Sequence, residues 1–309
     1  MPRWPVLGEL PAGVLVEETP HGVLAVRREY AAALQEQGFR ADGGEAAAAS
    51  DLAGRRPLGE LRAGGARLVV RSFQHGGLLR RLLGRRFADP ERPFRELVLS
   101  ARLAELGIET PPVVAARARR ATLGGYALDV VTLRVEGAQD LAEWLEALRE
   151  GRASAAARRA IPRAVGAFVG RFHAAGLWHA DLNPRNLLLA GDALERGQAG
   201  VLVLDLDRSV LAPPLTAARR RANLARLLRA VLRREGRGAP FLRRTDFARF
   251  LLGYRAGAGE PAGELGALWR GVRDAYARSA PIHRLGWRVE EAFGGGPAGR
   301  DGRAAVRRA

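Results

Sequence analysis

The chain contains no cysteine, which excludes disulfides, thiolate zinc sites, thiol nucleophiles and iron–sulfur clusters. It contains no lysine either, so all 50 basic residues are arginine, set against 33 acidic ones for a net charge of +17. Methionine occurs once and aromatics make up only 6%. So few rings leave little to stack single-stranded bases on. The arginines are scattered along the chain, and no specific nucleic-acid partner is expected. No apolar run reaches the roughly 18–20 residues of a membrane span. Glu9, Pro11, Glu17 and Glu18 break up the N-terminal stretch and exclude a signal peptide, so the expected compartment is the cytoplasm.

What is present is a globular composition: 309 residues, 47% hydrophobic and 27% charged, enough to bury a substantial core in one large or two small domains. A pI near 11.5 calls for an anionic partner, whether nucleic acid, which the scatter of the arginines disfavours, an anionic membrane face or a phosphorylated substrate.

Strand signals come early. Residues 13–50 read as a pair of short strands, a helix near Arg28–Gln37 and a small-residue spacer over Ala41–Ser50. Leu68–Phe73 is the clearest strand, preceded by a Gly64-Gly65 turn. A helix over Pro93–Leu106 opens on proline and closes on Gly107. Tyr126–Val135 reads as a strand and Asp140–Leu148 as a helix capped by Asp140. A long helix over Ala155–Ala175 carries Ile161, Val165, Phe168, Val169 and Phe172 on one face, with Pro162 expected to kink it or mark its true first turn. Strands at 187–189 and 201–204 flank a Gly191-Asp192 turn. Helices follow at about 216–234, 245–254, 263–278 and 286–293, then a Gly- and Arg-rich tail over 294–309 that reads as disordered. The order predicts an α+β fold with a sheet-rich N-lobe over 1–136 and a helical C-lobe over 137–293.

The chemistry concentrates in His179-Ala180-Asp181-Leu182-Asn183-Pro184-Arg185-Asn186, between the long helix and a short apolar strand. Downstream, Val201–Leu204 runs into Asp205-Leu206-Asp207. Four residues separate Asp181 from Asn186, the spacing of the H-R-D-x-x-x-x-N loop of kinases. Phosphoryl transfer needs a carboxylate at the acceptor hydroxyl and hard oxygen donors for Mg²⁺. Asp181 is the candidate base, and Asn186 and Asp205 the candidate metal ligands. His179 is expected to brace the loop, with Asn183 and Asp207 in support. Either motif alone would be an ordinary turn; both in this order, each in a fitting strand–loop context, point to ATP with Mg²⁺. Upstream, Arg71 lies central in its strand, where a cation reaching the nucleotide phosphates is needed. Glu96 heads a stripe with Leu99, Leu103 and Leu106 and is the expected partner of that cation. Gly54-Arg55-Arg56 and Gly64-Gly65 are the candidates for a glycine-rich phosphate cover.

These residues resemble the lipopolysaccharide kinases, in particular those that act on Kdo (3-deoxy-D-manno-octulosonic acid). His179 through Leu189 is similar to that family's H-x-D-L-N-x-x-N-I-L-L loop, where the Asn after Asp-Leu sets it apart from ordinary protein kinases and aminoglycoside kinases. Asp205–Arg208 is similar to D-F-D-[RK], and Val70–Leu78 to L-R-H-Y-x-R-G-G-L. Phe94–Leu97 with Gly107 and Pro111 resembles the F-x-E-F helix and its turn. Thr132–Leu141 resembles the hinge, and Asn223–Arg229 resembles N-L-x-R-L-x-R. The resemblance covers about residues 50–254. It departs at Gly54-Arg55-Arg56 (G-R-G in the family), at Leu133 in place of the hinge Glu, and at His75 in place of Arg.

The resemblance implies a protein-kinase-like bilobal fold, with Gly54, Arg71 and Glu96 serving the nucleotide. It also implies transfer of the ATP γ-phosphoryl to a sugar hydroxyl of a Kdo-lipid A precursor, at the inner face of the cytoplasmic membrane. Two arginine clusters, Arg80, Arg81, Arg85 and Arg86, and Arg219 to Arg234, would suit an anionic glycolipid and an anionic leaflet. A heptose or other small-molecule kinase would share the same catalytic set. A kinase-fold binder of anionic glycolipid or nucleic acid with little turnover is the alternative of another class.

Overall fold

The computed structural model describes residues 4–43, 48–49, 58–74, 86–190, 200–235, 240–260 and 265–278. Gly54-Arg55-Arg56, His75, Arg80, Arg81, Arg85, the Gly191-Asp192 turn, the helix expected at 286–293 and the tail over 294–309 lie outside the described residues. The chain divides into two compact units, Met1–Val135 and Glu136–Ala309.

The first unit is built on one antiparallel sheet. In chain order its strands are β1 (Val14–Glu18), β2 (Gly22–Arg27), β3 (Ala48–Ala49), β4 (Gly59–Ala63), β5 (Ala66–Ser72), β6 (Val113–Arg120) and β7 (Tyr126–Leu133). They stand side by side as β1-β2-β6-β7-β5-β4-β3. Both faces are covered, so the strands bury alternate residues in two separate cores. In β2, Val23 and Ala25 join Phe94, Leu97 and Val98 of helix α2 (Arg92–Glu105). Leu24 and Val26 join Leu34 of helix α1 (Arg28–Glu36) on the opposite face. The same period of two puts Leu68 and Val70 of β5 on the α1 side and turns Arg71 toward α2.

Helix α2 ends one residue before the expected limit. Leu106 is the C-cap and is exposed, not part of the buried stripe. Gly107 takes φ +66°, and the chain reverses so that Ile108 donates to the Leu103 carbonyl at 2.9 Å and Gly107 to Ala104 at 3.1 Å. This paired closure packs Ile108 onto Leu103. Ile108 therefore takes the buried place that the periodicity assigned to Leu106.

The second unit is mostly helical. Helix α3 (Leu141–Arg149) starts on Asp140, whose side chain accepts from Glu143 N while Glu143 returns a bond to Asp140 N, a reciprocal cap. Helix α4 (Ala155–Ala174) begins on Ser154, whose hydroxyl caps Ala157 N, and Pro162 lies inside the helix instead of opening it. The apolar face read from the sequence is buried: Ile161, Val165, Phe168, Val169 and Phe172 are all at 2% exposure or less. Helices α5 (Ala217–Glu235) and α6 (Arg244–Gly257) follow, and residues 265–278 are helical.

Helices α4 and α6 meet backbone to backbone. A Cβ on Gly166 or Gly170 would run into the carbonyl of Phe250 or Tyr254, and one on Gly253 or Gly257 into that of Arg163 or Ala167. Two Gly-x-x-x-Gly pairs thus bring the axes closer than side chains allow. Short strands complete the unit. β8 (Gln139–Asp140), β10 (Leu187–Ala190) and β11 (Gly200–Val203) form a sheet ordered β11-β10-β8, and β9 (Leu177–Trp178) pairs with β12 (Val210–Leu211).

Candidate active site

In the first unit, Arg71 and Glu96 meet. Arg71 Nη2 donates to Glu96 Oε1 at 2.7 Å and Oε2 at 2.5 Å. Glu96 is 4% exposed and Arg71 28%. A carboxylate this buried needs a partner, and the strand arginine supplies it while its own side chain still reaches solvent. The Arg71 guanidinium also lies 4.7 Å from the Phe73 ring centroid, a cation–π contact. Strand periodicity and helix periodicity therefore converge on one ion pair.

A second buried pair went unread in the sequence. Arg117 and Asp129, on neighbouring strands, are joined at 2.8 and 3.0 Å, with Ser72 Oγ on the other Asp129 oxygen at 2.6 Å and the Phe39 ring centroid 4.0 Å from the guanidinium. Both are essentially inaccessible, and they hold the sheet together.

In the second unit, α4 delivers the chain to the catalytic-type loop. Gly176 turns it at φ +92°, and a side chain there would collide with Pro213. β9 follows, tied to β12 in the register Val210↔Trp178 and Leu211↔Leu177. His179 is fully buried. Its Nε2 bonds the Leu204 carbonyl at 2.9 Å, and its Nδ1 accepts the Asp181 N–H at 3.2 Å. A carbonyl can only accept, so the proton sits on Nε2. Burial pushes the imidazole below its usual range, against the pull of the Leu204 bond and of Asp205 and Asp181. The ring is thus a neutral brace spanning the two motifs.

Asp181 is exposed, at 64% of its side chain. Asn183 Nδ2 reaches both its carbonyl at 2.9 Å and its Oδ2 at 3.2 Å. Asn183 Oδ1 caps the Pro184–Asn186 turn through Arg185 N at 2.9 Å. Asn186 Nδ2 donates to the Asp181 carbonyl at 2.9 Å, which leaves its carboxamide oxygen as the donor available to a cation. The ladder between β10 and β11 continues by one bond, Leu204 N to Asn186 O at 2.9 Å. This places the start of the Asp205-Leu206-Asp207 segment beside Asn186. Asp205 takes φ +56°, a left-handed backbone that Asp tolerates better than most residues. Ser209 Oγ, two residues beyond Asp207, accepts from Ala180 N at 3.2 Å and ties that segment back to the loop.

The structure therefore brings His179, Asp181, Asn183, Asn186 and the approach to Asp205 into one hydrogen-bonded loop system. Gly54 is outside the described residues. Three contributors were given no role at this loop by the sequence reading: Ser209, Asn223 and Arg226. Arg226 Nη1 lies 3.3 Å from Asp181 Oδ1. Arg229, from the same expected cationic cluster, is buried at 6% exposure with its guanidinium 5.7 Å from the Tyr276 ring centroid. Helix α5 is thus not simply a solvated basic face. The only sequence signal was the N-L-x-R-L-x-R pattern, which carries no role by itself.

A sheet-rich unit with a strand cation clamped by a helix carboxylate, joined to a helical unit with H-x-D-x-x-x-x-N and D-x-D loops, defines a kinase-like phosphotransferase. Comparison with known sequences places the chain more closely. A sequence model of the lipopolysaccharide kinase (Kdo/WaaP) family matches residues 46–254, and the chain belongs to that family. The 3-deoxy-D-manno-octulosonic acid kinase of Stenotrophomonas maltophilia (strain K279a) is 34% identical over 190 residues, 60% of this chain and 70% of that one. The protein of the same name from Xanthomonas axonopodis pv. citri is 36% identical over 172 residues, 54% of this chain and 63% of that one. The chain thus spans about two thirds of the length of these curated relatives. Among solved structures, "WaaP in complex with acyl carrier protein" aligns with 81% of this chain and 89% of that chain at 22% identity and a TM-score of 0.48, a likeness too coarse to bear on the site. Among the described residues, no helix is long and apolar enough to cross a membrane.

Proposed function

We propose that this chain transfers the γ-phosphoryl group of ATP to a hydroxyl of a Kdo sugar on a lipid A precursor. The observation that carries the reading is the bond network joining Asp181, Asn186 and Leu204, which sets a carboxylate, a carboxamide and the approach to a second carboxylate in one loop system. Family membership supplies the nucleotide, and the names of the relatives supply the acceptor.

In this reading Asp181 orients the acceptor hydroxyl and accepts its proton as the new O–P bond forms and ADP departs. Arg71, held by Glu96, grips the nucleotide phosphates with a planar fork that a lysine would lack. Asn186 and Asp205 are the residues that would hold Mg²⁺, with Asp207 in support. Their hard oxygen donors suit an ion that takes one or two carboxylates and completes its shell with substrate phosphates. When bound, that ion neutralises charge on the transferring group. His179 and Asn183 keep the loop in shape. An Arg-rich chain at the cytoplasmic leaflet would meet both an anionic glycolipid and an anionic surface, each basic residue near the surface adding about 1 kcal/mol.

The test is an ATP-consumption assay with product analysis across Kdo-bearing and heptose-bearing lipid acceptors. Phosphorylation of the Kdo-bearing acceptors is expected, and exclusive use of heptose would sink the assignment of acceptor. Membrane association is checked by co-sedimentation with vesicles containing anionic lipid, with binding expected to fall as salt rises.

A further inference from the structure

Helix α5 packs against β9 and the Pro184–Asn186 turn, and one of its faces is polar where it does so. Asn223, 1% exposed, donates from Nδ2 to the His179 carbonyl at 2.7 Å, and its Oδ1 accepts the His179 N–H at 3.2 Å. The same Oδ1 lies 3.1 Å from His173 Nε2, and His173 Nδ1 lies 3.0 Å from the Tyr254 hydroxyl.

The assignment of protons is forced from one end. The His179 carbonyl can only accept, so the amide nitrogen of Asn223 must face it and its oxygen must face the two N–H groups. His173 therefore donates from Nε2, and its Nδ1 takes the Tyr254 proton. Burial, which pushes the His173 imidazole down to about 4, keeps that ring neutral, as the pattern requires. Residues from α4, α5 and α6 thus hold, in a buried chain of bonds, the backbone two residues before Asp181.

One turn beyond Asn223, on the same face of the helix, Arg226 reaches Asp181 Oδ1 at 3.3 Å while Asn183 holds Oδ2 at 3.2 Å. Leu224, Leu227 and Leu228 of α5 are buried in the apolar interior, while Asn223 and Arg226 are spent on the loop.

We propose that α5 is the positioning element for Asp181: Asn223 sets the backbone that leads into it, and Arg226 sets the plane of its carboxylate. The proposal rests on the reading of Asp181 as the base. An aspartate this exposed has several rotamers open to it, and a base must stand within hydrogen-bond reach of the hydroxyl it serves. Two donors on two oxygens select one orientation, and displacements of about 1 Å cost on the order of a hundredfold in rate. Both contacts are long enough to yield to a substrate hydroxyl.

The test uses the full chain with ATP and a Kdo-bearing lipid A precursor, comparing Arg226→Ala, Asn223→Ala and Asp181→Asn. Arg226→Ala is expected to lower kcat about 10- to 100-fold, the range of a lost charge-assisted bond, with smaller changes in either KM. Added ethylguanidinium is expected to restore part of the rate, which a merely structural role would not allow. Asn223→Ala is expected to lower kcat likewise. It strands two buried backbone groups, so its folding is followed by circular dichroism, and Arg226→Ala decides the matter if it unfolds. Wild-type kcat in Arg226→Ala beside an inactive Asp181→Asn would overturn the proposal and leave the role of Asp181 standing. A raised acceptor KM with unchanged kcat would make Arg226 a binding residue and overturn the proposal too. An active Asp181→Asn would overturn both.

Discussion

Asp205 and Asp181 do different work in the proposed reaction, and their substitutions should separate. Asp205 sits on a left-handed backbone at φ +56°, a conformation kept only where the surroundings impose it. Asp205→Ala is expected to abolish Mg²⁺-stimulated turnover, read as loss of the rate increase on titrating Mg²⁺ into the assay. Asp181→Ala should lower kcat by about 10² to 10⁴, the range of a lost general base, while nucleotide affinity, measured by calorimetry, changes little. The proposed roles of Asp181 and Asn186 could be read in advance because their spacing lies within one short loop. Asn223 and Arg226 could not, since each acts on a residue 44 or 45 positions away. A helix rich in arginine looks the same in sequence whether its side chains face water, a membrane or a carboxylate.

Elements show the same division. Boundaries and types were largely legible: the β4–β5 turn, the cap of α3 and the buried face of α4 all follow from local pattern and propensity. The exceptions have local causes that act through tertiary contact. Leu106 fits the helical period of α2, yet Gly107 reverses the chain before that period is complete and Ile108 fills the site. Pro162 passed inside α4 because the helix is capped eight residues earlier, at Ser154, and packed along its length. The glycines at 166, 170, 253 and 257 read as weak points in helices and are in fact the contact between them. Gly253→Ala, which sets a Cβ against the Arg163 carbonyl, is therefore expected to destabilise the second unit by about 1–3 kcal/mol. The measurement is the thermal midpoint, with nucleotide-free protein.

Across the whole molecule, two buried imidazoles make the second unit sensitive to acid. His173 is pushed down to about 4 and His179 is lowered as well, in both cases chiefly by burial. An unfolded histidine binds its proton near 6.5, while the folded His173 waits until about 4. Their contribution to stability is therefore fully present above about pH 6.5, is lost as the pH drops toward 4, and His173 adds no further loss below that. His173 alone accounts for about 3 kcal/mol of that loss. Urea unfolding between pH 7 and pH 4 should show the decline, and His173→Gln should flatten it. In the first unit, replacing Asp129 by Ala would strand the buried Arg117 charge, at a cost of about 3–5 kcal/mol read by urea unfolding.

By itself, the sequence determined the class of the fold, the order of its elements and the loop proposed to carry the chemistry, because these depend on periodicity, turn residues and spacings of a few positions. Only the tertiary structure decided which arginines are spent internally, that α5 reaches Asp181, and that a chain of buried amide, imidazole and hydroxyl groups leads back from the loop to α6. Those contacts join residues far apart in the chain, and their partners are chosen by packing, which no local pattern encodes.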